Sequence, residues 1–119
     1  MSYQHFSFLT RGFKDSADVK AQNINEIAGH GLAVWLAVAL KERGFEVSEV
    51  WDEDHGWDFS IVKGKAKFVC SCSINDDDQE IGDGHVIIGS KAAAGDPVVV
   101  AVGEILGACG DIRDVELDG

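Results

Sequence analysis

The sequence predicts a single α+β domain, a two-layer sandwich in which two helices cover one face of a mostly antiparallel sheet of about five or six strands, in the order β-α-β-β-β-β-α-β. Three observations predict it. An amphipathic stretch ends in Lys41, Arg43 and Gly44, as helices end. Alternating segments from Phe45 to Gly89, separated by turn residues, read as a meander. Asp96-Pro97 then opens a second helical stretch before a closing strand. The 119 residues fit one domain with one core.

Tyr3 to Leu9 alternates, with Phe6 and Phe8 on one face, and reads as the first strand. Thr10 to about Asn25 is polar and reads as a long loop, a feature that compact domains reserve for function. The first main helix runs from about Ala28 or Gly29 to Arg43. Leu32, Trp35, Leu36, Ala39 and Leu40 share one face at three- and four-residue spacing. Lys41 and Arg43 complement the helix dipole. Gly44 supplies the left-handed position beyond the end, and Phe45 folds back. Asn25 is the candidate cap.

In the meander, Phe45 to Trp51 forms a strand with Phe45, Val47 and Trp51 inward. Asp52 to Gly56 turns. Trp57, Phe59 and Ile61 point inward on the next strand, and Lys63-Gly64-Lys65 is a tight hairpin. Phe68, Cys70, Cys72 and Ile74 share a face of the third strand. Asn75 to Gly84 is an acidic loop, and His85 to Gly89 is the fourth strand. Asp96 caps a helix with Pro97 at its first position. Val98, Val102, Ile105 and Cys109 fall at helical spacing, and Ile112, Val115 and Leu117 close the sheet. The opposite sheet face carries Glu46, Ser48, Asp58, Ser60, Ser71 and Ser73, polar enough to meet water.

Asn25-Glu26-Ile27-Ala28-Gly29 through Leu32-Ala33-Val34-Trp35-Leu36, with Arg43-Gly44-Phe45-Glu46-Val47 and Glu53-Asp54-His55-Gly56-Trp57, resembles a group of small, largely uncharacterised bacterial proteins. Their pattern is a helix reading L-A-x-W-L, a Gly-Phe strand and an acidic turn ending in Gly-Trp. The resemblance implies the α+β fold. It brings no catalytic residues with it.

Twenty-one Asp and Glu face ten Lys and Arg, a formal net charge of −11. The acids are bunched. Glu46, Glu49, Asp52, Glu53, Asp54 and Asp58 form one group, and Asp76, Asp77, Asp78, Glu80 and Asp83 another, neither with an interspersed base. Successive meander turns alternate ends, so the connections Asp52 to Gly56 and Asn75 to Gly84 are expected at one end of the sheet and Lys63 to Lys67 at the other. An acidic surface repels nucleic acid and anionic membranes and favours basic proteins. The start lacks the basic and apolar regions of a secretory signal. The longest apolar run, Leu32 to Leu40, is too short to span a bilayer. Three cysteines do not make a disulfide framework, so a reducing cytoplasm is the expected setting.

Cys70-Ser71-Cys72 would point two thiols the same way, toward one ion if Cys109 or His85 joined. Its phase with Phe68 and Ile74 favours core instead. The loop from Asp76 fails the calcium-loop template, with Ile81 where glycine is required and Ile87 where the bidentate glutamate belongs. His5, His30, His55 and His85 are scattered. His55 beside Asp54 is an acid–base candidate in an exposed turn. Gly29-His30-Gly31 is an anion-binding candidate without a P-loop lysine. No cofactor motif is present.

The expected function is therefore a non-enzymatic acidic protein-binding module, of the inhibitor or immunity type, docking a basic nuclease or nucleic-acid-binding protein. Trp51, Asp52, Glu53, Asp54, Trp57, Asp76, Asp77, Asp78, Glu80 and Asp83 form the expected surface, with a tryptophan as anchor. The alternatives are a small enzyme or ligand binder with a pocket between helices and sheet, or a self-associating structural domain.

Overall fold

A computed structural model describes residues 3–75, 80–89 and 92–118. Its elements are β1 (Gln4–Thr10), α1 (Ala17–Lys20), α2 (His30–Glu42), β2 (Glu46–Val47), β3 (Trp51–Glu53), β4 (Gly56–Lys63), β5 (Ala66–Asn75), β6 (Gly82–Ile88), α3 (Pro97–Ala108) and β7 (Ile112–Asp118). The fold is α+β, with a seven-stranded sheet in the order β2-β4-β5-β6-β1-β7 and β3 also paired to β4. All the pairings are antiparallel. The first strand thus slots between the meander and the last strand.

One sheet face carries Phe6, Phe8, Trp57, Phe59, Ile61, Phe68, Cys70, Cys72, Ile74, Val86 and Ile88, all buried. Leu32, Ala33, Leu36, Ala37 and Leu40 of α2 pack onto it, with Val98, Val99, Val102, Ile105 and Leu106 of α3. Each fully buried aliphatic or aromatic side chain contributes about 1.5–3 kcal/mol. The stripe on α2 differs from the predicted one. Trp35 and Ala39 are only partly buried, while Ala33 and Ala37 are fully covered. Small residues bring the helix close to the sheet, and Trp35 turns sideways onto Phe13, ring centroids 4.9 Å apart.

The end of α2 follows the sequence. Gly44 takes φ +93°, the Phe45 amide donates to the Leu40 carbonyl, and Phe45 is buried. Its start does not. Asn25 is not the cap. Gly29 occupies that position and offers no side chain. Instead Asp15, reaching in from the long loop, accepts from the Gly29 and His30 amides with Oδ2 (both 2.8 Å) and from Gly31 with Oδ1 (2.9 Å). A carboxylate at this position satisfies amides that the helix leaves unpaired and lies favourably in the helix dipole. The loop that places it also holds the one-turn α1, capped by the Ser16 hydroxyl.

The predicted strand from Phe45 to Trp51 is two short strands. Val47 stands opposite Ile61 and Trp51 opposite Asp58, so four steps on one strand match three on β4. Ser48 fills the irregularity, its hydroxyl accepting from the Ser60 amide at 2.8 Å. One extra residue reverses the side-chain alternation. Trp51 therefore leaves the core face, where Val47 sits, and joins Asp58 on the open face. The fourth strand begins earlier than predicted, at Gly82, because partners on both sides pair it there. A similar shift opposite Ser7 and Leu9, with Asp114 at φ +56°, interrupts β7. Asp96 does precede α3, but its carboxylate accepts from the Ala93 amide and not from the helix.

Replacing Asp15 by alanine is expected to lower stability by about 2 kcal/mol, since a remote charged cap is lost and three amides go unpaired. Asn at the same position should recover part of the loss. The shift in the urea unfolding midpoint measures both.

Candidate functional site

The hairpin of β3 and β4, turning at Asp54–His55, is built into the fold by two asparagines of the long loop. Asn23 is 2% exposed. Its Nδ2 donates to the carbonyls of Glu53 (2.7 Å) and Gly56 (2.9 Å), and its Oδ1 accepts from the amides of Asn25 (2.9 Å) and Ile27 (3.3 Å). Both donors and both acceptor directions of the amide are used. Asn25 donates to the Asp54 carbonyl at 2.6 Å. The Ala28 carbonyl accepts from Ile74, extending the sheet end by one bridge.

Trp51, Asp52, Glu53 and Asp54 sit on this braced hairpin. Trp51 is 37% exposed, and its Nε1 donates to Glu53 Oε1 at 2.7 Å. Trp57 does not belong with them. It is 4% exposed, donates to the Ile27 carbonyl at 2.8 Å and meets the His30 ring edge-on. Strand alternation puts it in the core, so only Trp51 is left as a surface aromatic of the pair.

Asp83 and Glu80 lie at the same sheet end, since Asn75 stands opposite Asp83 and the Lys63–Ala66 turn is at the other end. From β3 to β6 is three strand spacings, about 14 Å. Asp76, Asp77 and Asp78 lie outside the described residues. This end is less purely acidic than the linear chain suggests. Arg11 reaches Glu80 at 3.2 Å, an exposed pair, and Arg113 stands opposite Leu9, the residue across from Asp83.

The open face gathers polar side chains, some near and some distant in sequence. Asp58, 4% exposed, lies under His55, whose Nε2 is 2.9 Å and 3.1 Å from its two carboxylate oxygens. Ser71 Oγ is 3.2 Å from the same nitrogen. A catalytic triad needs the carboxylate on one ring nitrogen and the hydroxyl on the other. Here both crowd onto Nε2, so the ring that shields Asp58 does not activate Ser71. Further along, His5 Nε2 and His85 Nδ1 are 2.9 Å apart. The approach of Ser71 to His55 and the His5–His85 pair are not visible in the sequence, because each depends on which strands become neighbours.

Several candidate chemistries meet physical obstacles. Cys70 and Cys72 are fully buried, and burial above all pushes the Cys70 thiol well up, with Cys72 and Asp58 adding to the effect. A thiol held protonated is a poor ligand and nucleophile. The Gly29-His30-Gly31 amides already hold the Asp15 carboxylate. A groove of about 480 Å³ lies beside α2, lined by His30, Val34, Val38, Val47 and Val50, between the helix and the β2–β3 link. Among the described residues no three His, Cys, Asp or Glu side chains gather as metal ligands, and no helix is long and apolar enough to cross a membrane.

Neither a family model, nor a curated protein, nor a solved structure matches this chain.

The His5–His85 pair makes a pH prediction. Burial, then the neighbouring His5, lowers the pKa of His85 from 6.5, against an opposing pull from Asp83. Below pH 6.5 the unfolded chain binds a proton that the folded chain refuses. Stability is therefore expected to fall as pH drops through and below 6.5. His85→Gln should flatten that slope in chelator-treated protein, read from urea midpoints at a series of pH values. An equal slope in the variant would assign the effect to other groups.

Replacing Asn23 by alanine should cost about 2–4 kcal/mol, since two carbonyls and two amides lose their partner together. Amide exchange at Asp54 to Gly56 should accelerate beyond the global change. An effect no larger than elsewhere would show that the hairpin does not depend on Asn23.

Proposed function

We propose that the protein is a non-enzymatic acidic protein-binding module of the inhibitor or immunity type, acting in a reducing cytoplasm on a basic partner such as a nuclease or nucleic-acid-binding protein. The observation that carries this reading is the β3–β4 corner. An exposed tryptophan sits among Asp52, Glu53 and Asp54, on backbone that Asn23 and Asn25 hold in place. No lysine or arginine occurs between Glu46 and Val62.

Each part supports docking for a physical reason. The net charge of −11 attracts a basic surface at long range and speeds encounter. The Trp51 ring supplies contact area, and its bond to Glu53 restricts its rotation before a partner arrives. A hairpin already ordered loses little conformational entropy on binding. Glu80 and Asp83 broaden the negative edge, and Asp76, Asp77 and Asp78 belong to the same proposed surface by sequence position. Carboxylates spaced along such an edge imitate a phosphate backbone to a protein that binds nucleic acid.

The test uses the partner recovered by cross-linking in the source cells, with association followed at several salt concentrations. Neutralising Asp52, Glu53 and Asp54 together should slow association by about tenfold or more at low salt and flatten the salt dependence. Neutralising Asp76, Asp77 and Asp78 should act in the same direction. Trp51→Ala should instead speed dissociation, with a loss of about 2 kcal/mol. Unchanged rates in all three variants would remove this corner from the interface.

A further inference from the structure

The open face holds a second constellation, remote from the docking corner in the sheet. His5 on β1 and His85 on β6 lie on adjacent strands, and their facing nitrogens are 2.9 Å apart with ring centroids at 5.0 Å. Both side chains are half-buried, and both rings project from the sheet face that no helix covers. We propose that His5 and His85 form a binding site for a divalent transition metal, with copper(II) preferred.

The separation of the two nitrogens carries the inference. Imidazole nitrogens bind such ions at about 2.0–2.1 Å. Two ligands at right angles on a square or tetragonal ion are then about 2.9 Å apart, whereas tetrahedral ligands are about 3.4 Å apart. The observed spacing is that of the hydrogen bond between the rings, and it is also the spacing of adjacent ligands on a square ion, so the pair reaches the arrangement that copper(II) and nickel(II) favour without its nitrogens moving apart, and copper(II) binds nitrogen ligands most tightly of the series. In the metal-free pair one ring donates its proton to the other. On binding, that proton moves to the far nitrogen of its own ring. Both facing nitrogens then offer lone pairs, and the neutral pair takes up the ion with no net loss of a proton. Rotations of roughly 45° at each ring, on an open face, turn the lone pairs toward a shared point.

The surroundings favour a cation. Asp118 stands directly opposite His5 on β7, Asp83 precedes His85 by two residues on the same face, and Glu116 stands opposite Ser7, itself across from His85. These carboxylates set a negative field around the two rings. The coordination positions left over fall to water or to one of these side chains. Sheet pairing on both sides of β6 and β1 fixes the two backbones, so the ligands are brought together before an ion arrives.

The probe is copper(II) added to the full chain after chelator treatment. Titration should show one saturable site. Electron paramagnetic resonance should show two equatorial imidazole nitrogens. Copper at low stoichiometry should broaden the ring signals of His5 and His85 before those of His30 and His55 in the unsubstituted protein, which makes the result independent of how any variant folds. H5Q and H85Q should each weaken binding by roughly tenfold or more, the double variant should weaken it at least as much as either single one, and zinc should bind less tightly than copper. Absence of a saturable site, first broadening of His30 or His55, undiminished affinity in both variants, or zinc binding as tightly as copper would each overturn the assignment.

Discussion

Between Asn23 and His30 the chain has to cross the end of the β4–β5 pair at backbone contact distance, and the acidic corner depends on that crossing. A side chain at Gly29 would stand 2.8 Å from the Cys72 carbonyl oxygen, and one at Gly56 would collide with the same atom. Both residues take positive φ, +140° and +145°. Two glycines thus let three backbone segments meet over one carbonyl. So tight a meeting buries polar groups, and Asn23 satisfies four of them with one side chain. The same crossing delivers Gly29 to the start of α2, where Asp15 completes the missing cap. Loop, hairpin and helix start are one mechanical unit.

That unit explains why an exposed acidic hairpin can be rigid. Three carboxylates in sequence repel one another and favour an extended, solvated chain. Backbone bonds from Asn23 and Asn25 oppose this without neutralising a charge, because they engage carbonyls and leave the carboxylates free. The acidic groups therefore keep their long-range field while their positions are set by the core. Arg11, just past β1, and Arg113 on β7 stand at the far side of the same sheet end, away from the corner where Trp51 emerges.

The open face has a different logic. Antiparallel sheets covered on one side leave the other to water, and this one is lined by serines, histidines and acids. Burial is uneven, however. Asp58 is almost fully covered because His55 folds over it from the turn, an arrangement in which a neighbouring imidazole compensates a carboxylate drawn away from water. His5 and His85 instead compensate each other. The first pair spans three residues of one turn, and the second joins diagonal neighbours on adjacent strands, about 7–8 Å apart at the backbone and within reach of two long rings.

Local chemistry was legible in the chain. The α+β class, the end of α2 at Gly44, the buried phase of Phe68, Cys70, Cys72 and Ile74, and the opening of α3 at Pro97 all rest on spacing, capping and turn preferences that act within a few residues. So does the placement of Asp52, Glu53, Asp54, Glu80 and Asp83 at one sheet end, because meander turns alternate by geometry. Trp51 was misplaced because one residue accommodated at Ser48–Val50 reverses a strand's faces, and nothing in the linear pattern marks where a bulge will be tolerated. Asp15, Asn23, the Ser71–His55 contact and the His5–His85 pair were invisible for a stronger reason. Their roles are relations between segments separated by 14 to 80 residues, and only the packing of the sheet decides which distant backbone groups are left without water and which side chain is near enough to serve them. The sequence alone determined which segments become helix and strand and which faces are apolar. The tertiary structure decided where the charges stand, which aromatic ring meets solvent and which imidazoles meet, because those follow from strand order and register.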